Sequence, residues 1–211
     1  MTETKPPPAS DAAFTPSVKA IQARKGSRRQ YARIEDGDGW PTHITPDLAA
    51  FISAQTSVFL ATATLDGQPY VQHRGGPRGF LHVIDETTIA FADFTGNRQF
   101  ITLGNLADNP KALLFLLDYA TRQRVKIWGE GRVVEDDADL TAKLMPADYR
   151  ARPSQVIVFK VLTWDANCPQ HIPQRLEASD VEAALAARDA RIRELEAEVR
   201  QLRAAAVQPG R

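Results

Sequence analysis

The sequence holds one cysteine in 211 residues, Cys168. A chain with a single thiol builds no internal disulfide framework, and that composition fits a reducing compartment. No apolar run approaches the roughly 20 residues needed to cross a bilayer, and the opening stretch MTETKPPPASDAAF lacks a signal-peptide core. A cytoplasmic location is therefore expected. Net charge is absent too, with 26 basic residues against 26 acidic ones. That balance argues against a general nucleic-acid binder, which would carry a basic excess. The four histidines are scattered and show no metal-ligand spacing, so no metal is expected. There is no G-x-G-x-x-G run to hold a dinucleotide.

What remains is an ordinary globular composition, large enough for one main domain with appendages. Residues 1–13 are polar and Pro-rich and read as a disordered tail. The basic stretch that follows, with Lys19, Arg24, Lys25, Arg28, Arg29 and Arg33, reads as a solvated helix lying against the body or as an anion-binding arm. Thr45 and Pro46 are a helix cap and first-turn pair, opening a helix that packs Leu48, Phe51 and Ile52.

Strand signals dominate from there to residue 165. SVFLATATLDGQPYVQHRGG is a hairpin turning at Asp66-Gly67, and GFLHVID with TTIAFADF a second one. KALLFLLDYA and QRVKIWGEGRVVED make a third pair, the first strand apolar enough for burial on both faces. A short helix is expected from Asn97 to about Ala107, with Phe100, Ile101, Leu103 and Leu106 inward and Asn109-Pro110 closing it. After another small helix, SQVIVFKVLTWD is the last strand. Such a series of antiparallel strands suggests a closed or partly closed β-barrel. The fold class is mainly β with short helices (α+β), residues 14–175 forming the domain.

Residues 176–211 differ in character. Between 181 and 203 there is no Gly or Pro, and the apolar residues follow a heptad, interrupted by Arg188. Leu185, Ile192 and Val199 take one seam position; Val181, Leu195 and Leu202 take the other. In a parallel dimer Arg191 would face Glu196, and Glu198 would face Arg203. Pairing with another copy and folding back on the barrel are both open.

Three stretches could carry chemistry. In FADFTGNRQF, a strand runs into Gly96, Asn97, Arg98 and Gln99 at the expected start of a helix. A cation is unfavourable at the positive end of a helix dipole, unless an anion lies between it and the free backbone N–H groups. Either Arg98 helps form such an anion site or it reaches a nearby acid. In QHRGGPRGF, two glycines after a strand either let the backbone lie flat against a ligand or form a tight bulge. In WDANCPQHIPQR, Cys168 and His171 lie three apart without the further ligands of a zinc site or the orienting group of a nucleophile.

FADFTGNRQFITLGNLADNPKALLFLLDY followed by QRVKIWGEGRVV resembles the pyridoxamine 5′-phosphate oxidase-like family of FMN-binding split β-barrels. Asn97, Arg98 and Gln99 stand at that family's Ser-Arg-Lys-like triplet, Asn109-Pro110 at its helix end, and Arg124-Val125 through Gly129 on its later strand. The resemblance covers about residues 45–165. It implies a homodimer binding FMN, with His73, Arg74, Gly75 and Gly76 along the ring system and Asp93 and Phe94 at the strand end. Asn97, Arg98 and Gln99 would hold the phosphate, and Arg124 would complete the site. Trp164, Asn167, Cys168 and His171 are expected on the substrate side. Gln99 replaces the family's Lys, and the segment that grips pyridoxal phosphate has no counterpart in NCPQHIPQR. The resemblance is therefore to a subgroup of undefined substrate. It implies a flavin-dependent oxidoreductase acting on a small molecule, with NAD(P)H as a transient donor; a non-catalytic flavin- or haem-sensing module is the alternative. No side chain is singled out for covalent catalysis.

Overall fold

The computed structural model describes residues 7–37, 39–146, 148–167 and 169–206. Cys168 and the first six residues of the N-terminal tail lie outside them. The described residues fall into two compact units, one of Met1–Asp118 with Gln123–Gln170 and the other of Tyr119–Arg122 with His171–Arg211.

The first unit is a seven-stranded antiparallel sheet with short helices. Its strands are β1 (Ser57–Ala63), β2 (Pro69–Gly75), β3 (His82–Asp85), β4 (Thr88–Phe94), β5 (Lys111–Asp118), β6 (Gln123–Val134) and β7 (Pro153–Asn167), and their order is β2-β1-β5-β6-β7-β4-β3. The three expected hairpins all form, β1 with β2, β3 with β4 and β5 with β6. The long β6 and β7 form the spine, where a bulge between Trp128 and Gly129 shifts their register.

The helix Pro46–Ala54, α3, begins as its sequence dictates: Thr45 accepts the N–H of Leu48 through its hydroxyl, and Pro46 occupies the first turn. Its Leu48 and Ile52 enter a core with Leu60, Phe80, Phe91, Leu114, Ile127 and Phe159. Strand β5 is less buried than its composition suggests. Leu114 and Leu116 are fully buried, whereas Leu113, Phe115 and Leu117 on the opposite face are half-buried. Alternation sends every second side chain to the outer face of the sheet, away from the core that α3 covers. Phe59 and Val71 on the same outer face are 36% and 58% exposed.

The basic stretch is two helices rather than one, α1 (Pro16–Lys25) and α2 (Arg28–Asp36), broken at Gly26-Ser27. Phe14 links them to the sheet, its ring 5.1 Å from Tyr31 and 4.9 Å from Trp40, which in turn stacks on Trp128 of β6. The end of the tail is ordered with them, contrary to the polar composition: Ala9–Ala12 form a short 3-10 turn and Ser10 is buried. Polar ties hold it there: Asp11 pairs with Lys19 at 2.5 Å, and Glu35 accepts from Arg28 and, at 3.2 Å, from the Ser10 hydroxyl, with Lys19 at 3.7 Å. The bond from Arg28, and then the charge of Lys19, hold the Glu35 carboxyl below the usual carboxylate range. A depressed carboxylate stabilises the fold above its ordinary pKa, and that contribution is lost as pH falls through the lower folded value. Tryptophan emission should report Trp40 leaving its packed site below about pH 4, and Glu35→Gln should remove this acid step. An unchanged step in that variant would show that another group controls it.

In the second unit, Arg175 stands 4.8 Å from the Tyr119 ring centroid and donates its backbone N–H to the Tyr119 carbonyl at 3.2 Å. A long helix, α6, spans Ala178–Ala206; α4 and α5 are Ile101–Asp108 and Ala138–Leu144 of the first unit. No helix among the described residues is long and apolar enough to cross a membrane.

Candidate functional site

A cleft of about 960 Å³ opens in the first unit. Strand β2 supplies one wall, the end of β4 and the start of β7 another, and the segment 95–103 the rim. The walls are joined by a charge pair. Arg74 of β2 meets Asp93 of β4 through Nε, and Gln155 of β7, which is opposite Asp93 in the sheet, donates to the other carboxylate oxygen. The side chains of Arg74 and Asp93 are 16% and 5% exposed. Arg74 also reaches the Thr102 hydroxyl at 3.4 Å. A carboxylate this buried needs its partners, and here one oxygen has a hydrogen bond from Gln155 while the other has the Arg74 charge beside it without a hydrogen bond.

The rim departs from the expected helix. Helix α4 starts at Ile101, four residues later than the pattern suggests. The Asn97 side chain accepts the Gln99 N–H at 3.3 Å in a local turn, and Arg98 and Phe100 take left-handed φ values of 59° and 55°. These keep the chain out of the helix until Ile101. Phe100 and Ile101 accordingly point outward, 50% and 38% exposed, while the helix buries Leu106 as expected and Thr102 and Asn105 in their place. Left-handed backbone at a bulky residue is strained, by about 1–2 kcal/mol each, and such strain clusters at ligand sites.

This geometry leaves backbone donors at the rim of the cleft. The Phe100 cap offers no side-chain acceptor, and the first intrahelical bond is that of Gly104 to the Phe100 carbonyl. The N–H groups of Ile101, Thr102 and Leu103 are those that a helix start leaves without an intrahelical acceptor. All three residues line the cleft, as does Arg98. Among the described residues Arg98 has no carboxylate partner; its guanidinium stands over the Phe100 ring, 5.8 Å from the centroid. The reading in which it reaches a nearby acid is therefore not what the chain adopts. A side chain built at Gly96 would meet nothing within 4 Å, so the space beside it is open.

The two glycines at the end of β2, Gly75 and Gly76, have a different cause. A Cβ at Gly76 would lie 2.7 Å from that of Phe80, and one at Gly75 would lie 2.9 Å from the His73 ring. Packing within the chain accounts for them.

His73, Arg74, Gly75, Gly76, Asp93, Phe94, Asn97, Arg98 and Gln99 all line this one cleft. Arg124, Trp164 and Asn167 do not. Asn167 pairs with Arg124 across β6 and β7, and Trp164 is packed against the core with its indole donating to the His43 carbonyl at 2.9 Å. Cys168 is outside the described residues, and His171, with a left-handed φ of 65°, belongs to the second unit. No group of three His, Cys, Asp or Glu among the described residues could hold a metal. Sequence reasoning missed Tyr70, Thr102, Tyr149 and Gln155 in the lining. Of these Gln155 had a signal to offer, a lone amide ahead of an apolar strand, but its place opposite Asp93 follows only from the β4–β7 register.

Several solved structures are similar to the chain. HupZ of Group A Streptococcus is similar at 20% identity and TM-score 0.47, over 63% of this chain and 99% of that one. A putative pyridoxamine 5′-phosphate oxidase from Lactobacillus delbrueckii is similar at 22% identity and TM-score 0.45, over 59% and 95%. An FMN-binding protein from Syntrophomonas wolfei is similar at 14% identity and TM-score 0.44, over 69% and 97%. No curated protein matches the chain. The sequence profile of the family described as pyridoxamine 5′-phosphate oxidase matches residues 44–168, which hold the whole sheet and every residue of the cleft. The chain belongs to the pyridoxamine 5′-phosphate oxidase family.

Proposed function

We propose that the chain is an FMN-binding flavoprotein, a flavin-dependent oxidoreductase acting on a small molecule. The observation that carries this reading is the uncapped start of α4 beside Arg98, which has no acid to pair with among the described residues. Three N–H donors and a guanidinium suit a dianionic phosphate, and the volume of the cleft is at the upper end of small-molecule sites. The residues present fit the cofactor. When bound, FMN supplies the hydride or electron transfer.

The chain's own part is positioning and electrostatics. Ile101, Thr102, Leu103 and Arg98 would hold the phosphate, with Asn97 and Gln99 beside them, and the open space at Gly96 admits it. Phe94 and Tyr149, whose rings lie 5.2 Å apart, give the cleft an aromatic wall. Arg74 and Asp93 neutralise each other as an ion pair and Gln155 donates to the carboxylate, so the inner wall carries no net charge to compete with the ligand, although Arg74 Nε and Asp93 Oδ1 make no hydrogen bond. The active species is proposed to be a homodimer. Phe59, Val71, Leu113 and Phe115 form an apolar stripe across β2, β1 and β5, and Arg124, whose Nε is buried without a hydrogen bond, lies outside its own chain's cleft.

Absorbance of the purified protein, followed by titration of FMN into flavin-free wild type and Arg98→Ala, tests the site. Losing a charge-assisted contact to the phosphate should weaken binding by about ten- to a hundredfold. Equal dissociation constants would remove Arg98 from the site, and failure of wild type to bind FMN would overturn the reading. Steady consumption of NAD(P)H by the flavin-loaded protein then separates an oxidoreductase from a sensor.

A further inference from the structure

The second unit has an interaction surface that the cleft does not explain. Helix α6 is 29 residues long, and its apolar residues stand exposed along one stripe: Val181 37%, Leu185 51%, Ile192 50%, Leu195 42%, Val199 43% and Leu202 64%. A helix this long with an uncovered apolar stripe is unusual in a lone chain, because nothing offsets the cost of hydrating that stripe. We propose that this stripe is one half of a parallel, two-stranded coiled coil with a second copy of the chain. The inference is independent of the flavin reading.

The register is unbroken. Heptad a positions fall at Ala178, Leu185, Ile192 and Val199, and d positions at Val181, Arg188, Leu195 and Leu202. The second half of the helix has β-branched residues at a (Ile192, Val199) and leucine at d (Leu195, Leu202). That choice favours two parallel strands over three or four.

Charge supports the same orientation. In a parallel pair, Arg191 at g meets Glu196 at e of the second copy, and Glu198 meets Arg203. Two-fold symmetry doubles both contacts, and every charged flanking pair within the helix is of opposite sign. An antiparallel pair aligning Ile192 with Leu195 would bring Arg191 to Glu198 and Glu182 to Arg203. It would also set Asp189 beside Glu196, a like-charge contact made twice, and would mix a with d residues in every layer. The parallel arrangement has two costs, Glu177 at the helix start facing Glu182 of the second copy and Arg188 facing its own copy at a d position. Its long stem can cover apolar surface while the guanidinium reaches water. Within one helix Arg191 is 3.0 Å from Glu194, but both side chains are about two-thirds exposed, and such a pair competes weakly.

The test uses the full chain carrying Cys168→Ser and a single new cysteine, from either Leu202→Cys or Ala204→Cys. Position 202 is in the seam and faces itself across a parallel pair, whereas 204, in the same turn, faces away. Interchain disulfide formation should be at least about tenfold faster at 202, reflecting the effective concentration in the seam. Arg191→Glu in the Leu202→Cys chain should slow it, and adding Glu196→Arg should restore it. Equal rates at 202 and 204 would overturn the proposal. So would a 202 cysteine that pairs only with a Leu185→Cys chain, since that is the antiparallel alignment.

Discussion

Gly129→Ala is expected to destabilise the sheet by about 3 kcal/mol or more, the upper range for overpacking a well-packed site. Its Cβ would stand 2.1 Å from the carbonyl oxygen of Lys160 and 2.6 Å from the ring of Phe159. A flexible side-chain end could swing aside, but a strand carbonyl cannot. Gly129 lies at the bulge where β6 and β7 change register, and relieving the contact means parting those strands in the middle of the spine. Phe159 cannot give way easily either, being fully buried in the main core. Urea denaturation followed by far-UV circular dichroism measures the loss. Gly104→Ala is the matched control: it lies inside α4 with nothing within 4 Å of the added methyl, and should stabilise by up to about 1 kcal/mol through helix propensity. A Gly129→Ala protein within about 1 kcal/mol of wild type would mean that the strands are not crowded there.

This contrast also marks what a sequence conveys. Local chemistry was legible: the Thr45-Pro46 helix start, the Asp66-Gly67 turn and the Asn109-Pro110 stop each act over a few residues, and each appears where expected. The three hairpins follow from such turns. Long-range consequences were not legible. Nothing near Gly129 says that Lys160 will lie against it, because that contact depends on a bulge between strands far apart in sequence. The break in the basic arm and the late start of α4 escape a sequence reading for a related reason. Both depend on single residues with left-handed φ (Gly26, Arg98, Phe100), and for Arg98 and Phe100 intrinsic preference points the other way.

The cleft shows the same division. The run from Asp93 to Gln99 could be read as one piece because it is contiguous and lines the cleft without a gap. Chain order alone puts Trp164 and Asn167 on the substrate side, because they end the last apolar strand. The β6–β7 pairing sets them beside Ile127 and Arg124, outside their own chain's cleft. Tyr149 and Gln155 enter the cleft from a loop and a strand start whose sequences do not announce it. A lining assembled from separate segments is visible only after the sheet order β2-β1-β5-β6-β7-β4-β3 brings β2 and β4 to face each other.

Arg74→Met should cost about 3–5 kcal/mol, the range for breaking a buried charge pair from one side. The reason is what it leaves behind. Asp93 has a side chain only 5% exposed, and without Arg74 its carboxylate retains only the Gln155 amide as a partner. The arginine itself is less costly to lose, since its remaining contacts are a 3.1 Å bond to the His73 carbonyl and a 3.4 Å contact to Thr102. Asp93→Leu alone should also destabilise, by stranding a guanidinium that is 16% exposed, but less than Arg74→Met does, because water can still reach that group. The double variant Arg74→Met/Asp93→Leu removes both charges and should recover most of the loss, as replacing a buried pair by apolar groups often does. A denaturation cycle over the four proteins gives the coupling. Single losses that simply add in the double variant would show that the two side chains do not stabilise each other. The cycle also bears on the ligand, because this pair joins β2 to β4 across the inner wall of the cleft. If the wall positions FMN, the double variant should be nearly as stable as wild type yet bind FMN more weakly, separating the shape of the cleft from the stability of the fold.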